Sequence, residues 1–233
     1  MTSYTEVDVA QKSPEWFAAR CGRVTSSKAH LIFQKGRKKA GGGYEESVTR
    51  RDYIIDLACE RLTQQTTDDD SYKGKWVERG VALEPDALRA YEAHAGVMAR
   101  RVGFFACNDV LAGSSVDAIV GAGRTAIVVE LKVPKPNTHL RYWDDVTELF
   151  EEYRYQGLMH LWVTGARRVD IVSYCPQVPE PLRVLVVPFS ATPDEFREFD
   201  EATHRFLHEI DERERRIAAR AQEVSMRRLA WRS

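Results

Sequence analysis

Two neighbouring segments of the chain combine acidic and basic residues at a spacing that could support catalysis at a metal ion. Asp117 lies in the first segment, and Glu130, Leu131 and Lys132 lie in the second, after twelve intervening residues. If the second segment is a β-strand, Glu130 and Lys132 project to the same side while Leu131 points into the core, because side chains alternate along a strand. A carboxylate and an ammonium group on an otherwise apolar strand are costly to bury unless another group engages them.

Pairing of these two segments in one sheet would bring Asp117 close to Glu130. The two carboxylates and the backbone carbonyl of Leu131 would then form a hard oxygen site suited to Mg²⁺, with Mn²⁺ as a substitute. One ion, or two about 3.5–4 Å apart, would bind a scissile phosphate and lower the pKa of a bound water. Lys132 would orient or deprotonate that water, or stabilise charge in the transition state. The alternative is a cross-strand ion pair at the end of the sheet, which these residues alone do not exclude.

Two further residues could complete such a site. Glu84 lies in a helical context and could deliver one more carboxylate to the metal, although a solvated residue on a helix surface would have the same context. Gln156 lies in the predicted helix directly after the strand of Glu130, and could hydrogen-bond a phosphate or the attacking water. The alternative for Gln156 is a capping or surface amide.

The elements that must position these residues form a helix-rich half followed by a strand-rich half. Ser13-Pro14-Glu15 is a typical helix start, with Ser13 as the N-cap, and Val24-Thr25-Ser26-Ser27 could cap the next helix. β-branched residues dominate the strand that contains Glu130, as expected of a strand buried on both faces. The predicted helices cover residues 13–20, 28–33, 46–64, 74–95, 148–163 and 192–225, and the predicted strands cover 97–106, 112–120, 125–133, 169–174 and 184–187.

This order of elements predicts an α/β fold with a mixed central β-sheet flanked by α-helices. The length suits one sizeable domain, and we expect a single domain over residues 1–233 because the sequence contains no repeat and no convincing boundary. Within it we expect N-terminal helices at 13–95, a catalytic sheet and helix at 97–190 and a C-terminal helix at 192–225.

The composition is ordinary for a soluble globular protein, with 43% hydrophobic and 30% charged residues and a formal net charge of −1. This balance does not exclude a nucleic-acid-binding cleft, because the distribution of charge matters more than its sum. The four cysteines include no Cys-x-x-Cys pair, which argues against a zinc ribbon or an iron–sulfur cluster. Nothing resembles a signal peptide or a run of about 18 apolar residues. We therefore expect a cytoplasmic protein with reduced thiols and no membrane association.

A basic, glycine-rich segment at residues 34–43 fits two interpretations. It is either a solvated linker or a mobile flap whose Lys35 and Arg37 contact phosphates without base specificity. The sequence leaves both interpretations open.

Several short motifs occur in a specific order along residues 13–190. They are Trp16-x3-Arg20-x-Gly22, Val24-Thr25-Ser26-Ser27, Gly80-x3-Glu84, Ser115-x-Asp117, Glu130-Leu131-Lys132, Gln156 and Trp162-Val163-Thr164. Each motif is weak alone, but the ordered set resembles the lambda-exonuclease group of YqaJ-type viral recombinase nucleases. That family has the restriction-endonuclease-like PD-(D/E)xK fold.

The resemblance implies an exonuclease that requires Mg²⁺ and digests one strand of linear double-stranded DNA in the 5′→3′ direction. It would leave 3′ single-stranded overhangs for recombination by strand annealing. Position by position, Asp117 would bridge the metal ions, Glu130 and the Leu131 carbonyl would bind one of them, and Glu84 would assist at the other. Lys132 would be the catalytic lysine.

The resemblance also implies a pocket for the terminal 5′-phosphate. Arg20 and Ser27 match the positions that form it, and a guanidinium with a hydroxyl at a helix N-terminus suits a dianionic phosphate. Thr25, Lys35 and Arg37 complete the set of residues expected to contact DNA.

Some positions depart from the family pattern. Val116 replaces the proline before the metal-binding aspartate, which is a mild change because only the aspartate coordinates. Gln156 would be the helix glutamine near the water, but Leu158 replaces the second glutamine of lambda exonuclease. His160 occupies the position of a tyrosine in RecB-type relatives, and we expect it to serve packing or a phosphate contact rather than metal binding.

The assembly and partners follow from the resemblance alone. It implies DNA ends as the substrate, a single-strand annealing protein as the partner, a toroidal homotrimer, and a phage-encoded or prophage-derived protein in a bacterial cytoplasm. Two alternatives stay open: a PD-(D/E)xK endonuclease of the restriction or repair type, and a non-catalytic DNA-binding protein that keeps the fold.

Overall fold

The structure is a computed structural model that describes residues 3–67 and 75–230. Its α-helices are α1 (Pro14–Arg20), α2 (Val48–Thr63), α3 (Lys75–Ala95), α4 (Pro136–Asp144), α5 (Val146–Thr164) and α6 (Pro193–Ala230), and short 3₁₀ helices cover Ser26–Phe33, Gly123–Thr125 and Glu180–Leu182. Its strands are β1 (Tyr4–Val7), β2 (Val24–Thr25), β3 (Arg100–Arg101), β4 (Phe104–Cys107), β5 (Ala112–Ser114), β6 (Ala118–Val120), β7 (Ile127–Lys132), β8 (Arg168–Tyr174) and β9 (Val184–Phe189).

The strands form two mixed sheets flanked by helices, which confirms the predicted α/β class. The larger sheet has the order β3-β6-β7-β8-β9, and the smaller one has the order β1-β4-β5-β2. In the larger sheet only β7 and β8 run parallel, with Glu130 opposite Ile171. The strand β7 is buried over its central four residues, as its β-branched composition predicts.

Two of the predicted strands each divide between the two sheets. The segment 97–106 breaks at Gly103, which passes so close to the backbone oxygens of Val7 and Val9 that a Cβ atom would collide with them. The segment 112–120 breaks between β5 and β6, immediately before and at Asp117. Each break lets one stretch of chain serve both sheets.

Helix α5 is the element that connects the two sheets. It contacts β4 and β5 of the smaller sheet and β8 and β9 of the larger one. All of its residues from Gly157 to Thr164 are buried, and a Cβ atom at Gly157 would lie 2.7 Å from the ring of Phe189. This close packing fixes the helix that carries Gln156 and His160 against β7 and its neighbours.

A helix that was not predicted, α4, lies between β7 and α5. Pro136 occupies its first turn, and Asp145 then caps α5 by accepting a hydrogen bond of 2.9 Å from the backbone N–H of Thr147. Gln156 therefore lies in the second helix after β7, not in the first.

The N-terminal helices agree with the prediction except in helix type, whereas the strands β1 and β2 were not predicted. Ser13 caps α1 as expected, through its side chain and the backbone N–H of Trp16. The next helix is a 3₁₀ helix, Ser26–Phe33, and its N-cap residue Thr25 makes no side-chain capping bond. The predicted helix at 74–95 is observed from Lys75, and residue 74 lies outside the described residues.

The basic segment at 34–43 folds back on itself. Gly36 N–H donates to Glu45 O at 3.1 Å, and Glu45 N–H donates to Arg37 O at 2.8 Å. Lys38 and Tyr44 form an isolated antiparallel bridge. Residues 36–45 therefore form a short hairpin, and we call residues 35–45, which include the preceding Lys35, the basic hairpin.

The C-terminal helix starts with reciprocal capping bonds. Thr192 N–H donates to the Glu195 carboxylate at 2.9 Å, and Glu195 N–H donates to Thr192 Oγ1 at 3.2 Å. Within residues 3–67 and 75–230, no helix combines the length and apolar character that a membrane span needs.

Candidate active site

Asp117 lies where the ladder between β6 and β7 ends. The last pair of this ladder is Ala118 and Val129, and beyond it Asp117 Oδ2 accepts a hydrogen bond of 2.6 Å from the backbone N–H of Leu131. The N–H and C=O groups of a strand residue face the same neighbour, so the Leu131 carbonyl also faces Asp117. Two of the predicted oxygen donors are therefore brought together.

Glu130, Lys132 and Gln156 form a closed triangle of polar contacts. Lys132 Nζ lies 2.7 Å from Glu130 Oε1, and Gln156 Nε2 donates to the same oxygen at 2.6 Å. Lys132 Nζ also donates to Gln156 Oε1 at 3.1 Å. An ion pair is therefore present, but it lies within β7 and not between two strands, and Gln156 from α5 contacts both of its members.

The other carboxylate oxygen of Glu130 is held from inside the protein. His160 Nε2 lies 2.8 Å from Glu130 Oε2, and His160 Nδ1 lies 2.6 Å from Ser114 Oγ. The His160 and Ser114 side chains are fully buried, and Glu130 is only 5% exposed. Of the two roles expected for His160, the structure supports packing, because both ring nitrogens are engaged inside the protein and neither is available to a phosphate.

Sequence reasoning missed the contact between His160 and Glu130. A signal for it existed, because His160 follows Gln156 by four residues and therefore lies on the same helix face. Tyr153 was also missed. It lies on this face three residues before Gln156, and its ring centroid is 4.2 Å from Lys132 Nζ.

The charges of the two carboxylates act on each other. Loss of solvent and then the negative charge of Glu130 raise the pKa of Asp117 well above its usual value, although Lys132 and the Leu131 N–H oppose this. Burial also raises the pKa of Glu130, but Lys132 and His160 outweigh it and hold that pKa below its usual value. A divalent cation between the carboxylates would remove the repulsion that acts on Asp117.

Glu84 lies near this pair but does not join it. Its charge contributes to the raised pKa of Asp117, while its Oε1 lies 3.8 Å from Lys12 Nζ. Arg79 of the same helix donates to the backbone oxygens of Val133 and Pro134, 3.3 Å from each. These bonds fix α3 at the end of β7.

The donor atoms are of the kind that a hard divalent cation prefers, but the acidic side chains that the structure describes are not close enough together to hold one ion. Asp117, Glu130, Glu84 and the Leu131 carbonyl offer only oxygen, which Mg²⁺ prefers. Among the described residues, however, no group of three or more acidic, histidine or cysteine side chains is close enough to hold one ion as placed.

Three of the residues predicted to contact DNA lie on three consecutive elements, with Arg20 on α1, Thr25 on β2 and Ser27 on the 3₁₀ helix. Arg20 is 8% exposed, its guanidinium lies 4.1 Å from the centroid of the Trp16 ring, and its NH1 donates to Ser115 Oγ at 3.1 Å. Trp16 Nε1 donates to the same hydroxyl at 3.0 Å. Ser27 is exposed at the start of the 3₁₀ helix, whereas Thr25 is buried.

Lys35 and Arg37 are exposed on the basic hairpin. Lys35 Nζ lies 5.0 Å from the centroid of the Tyr44 ring. Among the described residues, neither side chain contacts the carboxylates.

Comparison with protein families identifies the group to which the chain belongs. The model of the YqaJ-like viral recombinase domain matches residues 15–167, which include every residue of the carboxylate site. The chain belongs to this family, as the ordered motifs predicted.

Solved structures with a similar fold agree with this assignment. An alkaline exonuclease from Laribacter hongkongensis has 25% sequence identity and a TM-score of 0.76, over 91% of this chain and 100% of that one. The structure of that exonuclease in complex with dAMP has 24% sequence identity and a TM-score of 0.77, over 91% of this chain and 100% of that one. A phage-related exonuclease from Haemophilus somnus 129PT shares the fold, with 15% identity and a TM-score of 0.63 over 82% of this chain and 94% of that one. No curated protein matches this sequence.

The family and the fold together support the conclusion that the chain is an enzyme, a nuclease that acts on DNA. The non-catalytic alternative is not favoured, because the carboxylates and the lysine are not only present but are brought together.

Proposed function

We propose that the chain is a Mg²⁺-dependent exonuclease that digests one strand of linear double-stranded DNA in the 5′→3′ direction. The products would be 3′ single-stranded overhangs for recombination by strand annealing. The observation that carries the proposal is the closed contact between Glu130, Lys132 and Gln156 beside Asp117. The 25% identical alkaline exonuclease supports attack on DNA ends.

Asp117, Glu130, the Leu131 carbonyl and Glu84 would hold one or two Mg²⁺ ions, with Mn²⁺ as a substitute. A bound ion of this kind supplies charge neutralisation at the phosphate and lowers the pKa of a water. Glu130 is held at both oxygens, and Asp117 is held at one by Leu131. The protein therefore orients these two ligands before any substrate arrives.

Lys132 would act on the reacting phosphate and the attacking water. Its ammonium group lies at the edge of the carboxylate site, against Glu130, Gln156 and the Tyr153 ring. A positive charge fixed there stabilises negative charge that develops on the phosphate oxygens and can hold a water by donating a hydrogen bond. Gln156 bridges Lys132 to Glu130 and so keeps the lysine at a defined position relative to the metal ligand.

Arg20 and Ser27 would bind the terminal 5′-phosphate and so define polarity. The Trp16 ring and the Ser115 hydroxyl hold the Arg20 guanidinium in one orientation, which favours bidentate binding of a phosphate. Ser27 offers an exposed hydroxyl. Thr25, and Lys35 and Arg37 on the basic hairpin, would make further contacts to DNA.

The wider setting of the enzyme follows from the family resemblance. We infer a single nuclease domain over residues 1–233, a toroidal homotrimer around DNA, and delivery of the overhang to a single-strand annealing protein. The gene would belong to a phage or prophage, and the protein would act in the cytoplasm of a bacterial host.

The proposal is tested by a time course on linear duplex DNA that carries separate labels at each 5′ and 3′ end, with Mg²⁺ or with EDTA. We expect label to leave the 5′ ends first, only with Mg²⁺, while the 3′ label stays on strands that become progressively shorter. Closed circular DNA serves as the control substrate and should stay intact. Early loss of 3′ label would contradict the polarity, and nicking of circles would favour the endonuclease alternative.

A further inference from the structure

We propose that His160 and Ser114 are positioning residues that orient Glu130 for metal binding. The proposal rests on the proposed function, since it takes Glu130 as a metal ligand. The chain of contacts runs from Ser114 Oγ to His160 Nδ1 at 2.6 Å and from His160 Nε2 to Glu130 Oε2 at 2.8 Å. It joins the end of β5, through α5, to β7 and so spans both sheets.

The two oxygens of Glu130 differ in what holds them. Oε1 is bound by Lys132 and Gln156, and the Lys132 side chain is 20% exposed. Oε2 is bound by His160, whose side chain is 0% exposed. An arriving cation can therefore displace the Lys132 contact, whereas the His160 contact is enclosed and stays in place. The carboxylate is thus fixed on its inner side and presents its other oxygen outward.

The direction of these hydrogen bonds is set by the carboxylate. An ionised Glu130 accepts only, so His160 Nε2 carries the proton that it donates. In a neutral ring, Nδ1 is then the acceptor for the Ser114 hydroxyl. The Ser114 hydroxyl can donate to Nδ1 and so helps to hold the ring in the orientation that Glu130 needs. Groups that hold a ligand from outside in this way change metal affinity by about 10- to 100-fold.

A second buried histidine provides a built-in comparison. His139 is also fully buried, and its Nδ1 lies 2.7 Å from Ser173 Oγ. Its Nε2, however, faces the backbone oxygen of Leu182 at 2.7 Å rather than a carboxylate. Loss of either ring should destabilise the fold, but only loss of His160 removes a bond to Glu130.

The test measures Mn²⁺ binding to the full chain by titration calorimetry, together with thermal unfolding in EDTA. The variants are His160→Leu, His160→Gln, Ser114→Ala and the control His139→Leu. We expect His160→Leu to weaken Mn²⁺ binding about 10- to 100-fold, and His160→Gln to restore most of it because its amide can donate to Glu130. His139→Leu should lower the Tm comparably and leave Mn²⁺ affinity within about 3-fold of the parent.

Ser114→Ala keeps the test decisive if His160→Leu does not fold, because it removes only a hydroxyl. We expect it to weaken Mn²⁺ binding about 2- to 10-fold, the effect of one hydrogen bond. Parent-like affinity in Ser114→Ala and His160→Leu would overturn the positioning role and leave the proposed function standing. So would an equal loss in His139→Leu. Absence of Mn²⁺ binding in the parent itself would instead overturn the proposed metal site, and this inference with it.

Discussion

Ser114 and Ser115 are consecutive residues whose hydroxyl groups serve different parts of the site. Ser114 Oγ contacts His160 and through it Glu130, whereas Ser115 Oγ accepts a hydrogen bond from Arg20. Neighbouring side chains of an extended chain point to opposite faces. The short segment that leads to Asp117 thus also separates the carboxylate site from the candidate phosphate pocket.

Ser115→Ala is expected to reduce the preference for 5′-phosphorylated ends about 2- to 10-fold, because Arg20 loses one hydrogen bond that orients it. Mn²⁺ affinity should stay unchanged. The measurement compares initial rates on duplexes with 5′-phosphate and 5′-hydroxyl ends. Ser114→Ala is the matched control, and the same pattern in both serine variants would contradict the separation of roles.

Lys132→Ala should slow turnover about 10²- to 10⁴-fold and leave DNA binding nearly intact, because the lysine is proposed to act on the reacting phosphate. Single-turnover hydrolysis and fluorescence anisotropy of labelled duplex measure the two effects. Lys135→Ala, three residues further along, is the control and should keep near-parent turnover. A Lys132→Ala protein with parent-like rates would remove the lysine from the mechanism.

Arg20→Ala should lower discrimination between phosphorylated and unphosphorylated 5′ ends more than it lowers Mn²⁺ affinity. Arg20→Lys keeps the charge but loses the planar group that stacks on Trp16, so we expect only partial recovery of discrimination. Competition between the two substrates in one reaction gives the ratio directly. If the ratio of the parent persists in Arg20→Ala, the phosphate pocket lies elsewhere.

Asp117→Asn is expected to stabilise the metal-free protein while it abolishes metal binding. The pKa of Asp117 is raised in the folded state. Its contribution to the stability of the fold is therefore fully present at a pH below its unfolded pKa of about 3.9, and it is lost as the pH rises through its folded pKa. In EDTA near pH 8, the Tm of Asp117→Asn should therefore exceed that of the parent by about 2–4 °C for each kcal/mol of repulsion removed.

The difference in Tm between Asp117→Asn and the parent should become smaller as the pH is lowered toward 5. Mn²⁺ should raise the Tm of the parent and not that of the variant. Thermal unfolding across pH, with EDTA or Mn²⁺, checks both expectations. A variant Tm below that of the parent in EDTA would show that the carboxylate is not under repulsion.

The parts of the fold that the sequence predicted are those with strong local patterns. The β-branched run around Val128 and Val129 predicted β7, and the helix predicted at 192–225 is observed as α6. The division of the strands between two sheets depends on the approach of Gly103 to Val7 and Val9. That contact spans distant parts of the chain and leaves no local pattern.

The same distinction holds in the site. The spacing of Glu130 and Lys132 and the position of Asp117 predicted their proximity, and the structure places Gln156 with them. The contact of His160 with Glu130 could not be inferred in the same way, because it depends on how α5 packs between the sheets. Glu84 shows the converse case: its helix is placed as expected, but its side chain pairs with Lys12.

The most direct test of the central claim is the position of Mn²⁺ in crystals of the protein with a short DNA duplex, located by anomalous scattering. The account predicts an ion within roughly 2.0–2.3 Å of Asp117, Glu130 and the Leu131 carbonyl, with Lys132 moved off Glu130 toward the phosphate. An ion bound elsewhere, with Glu130 still paired to Lys132, would contradict it.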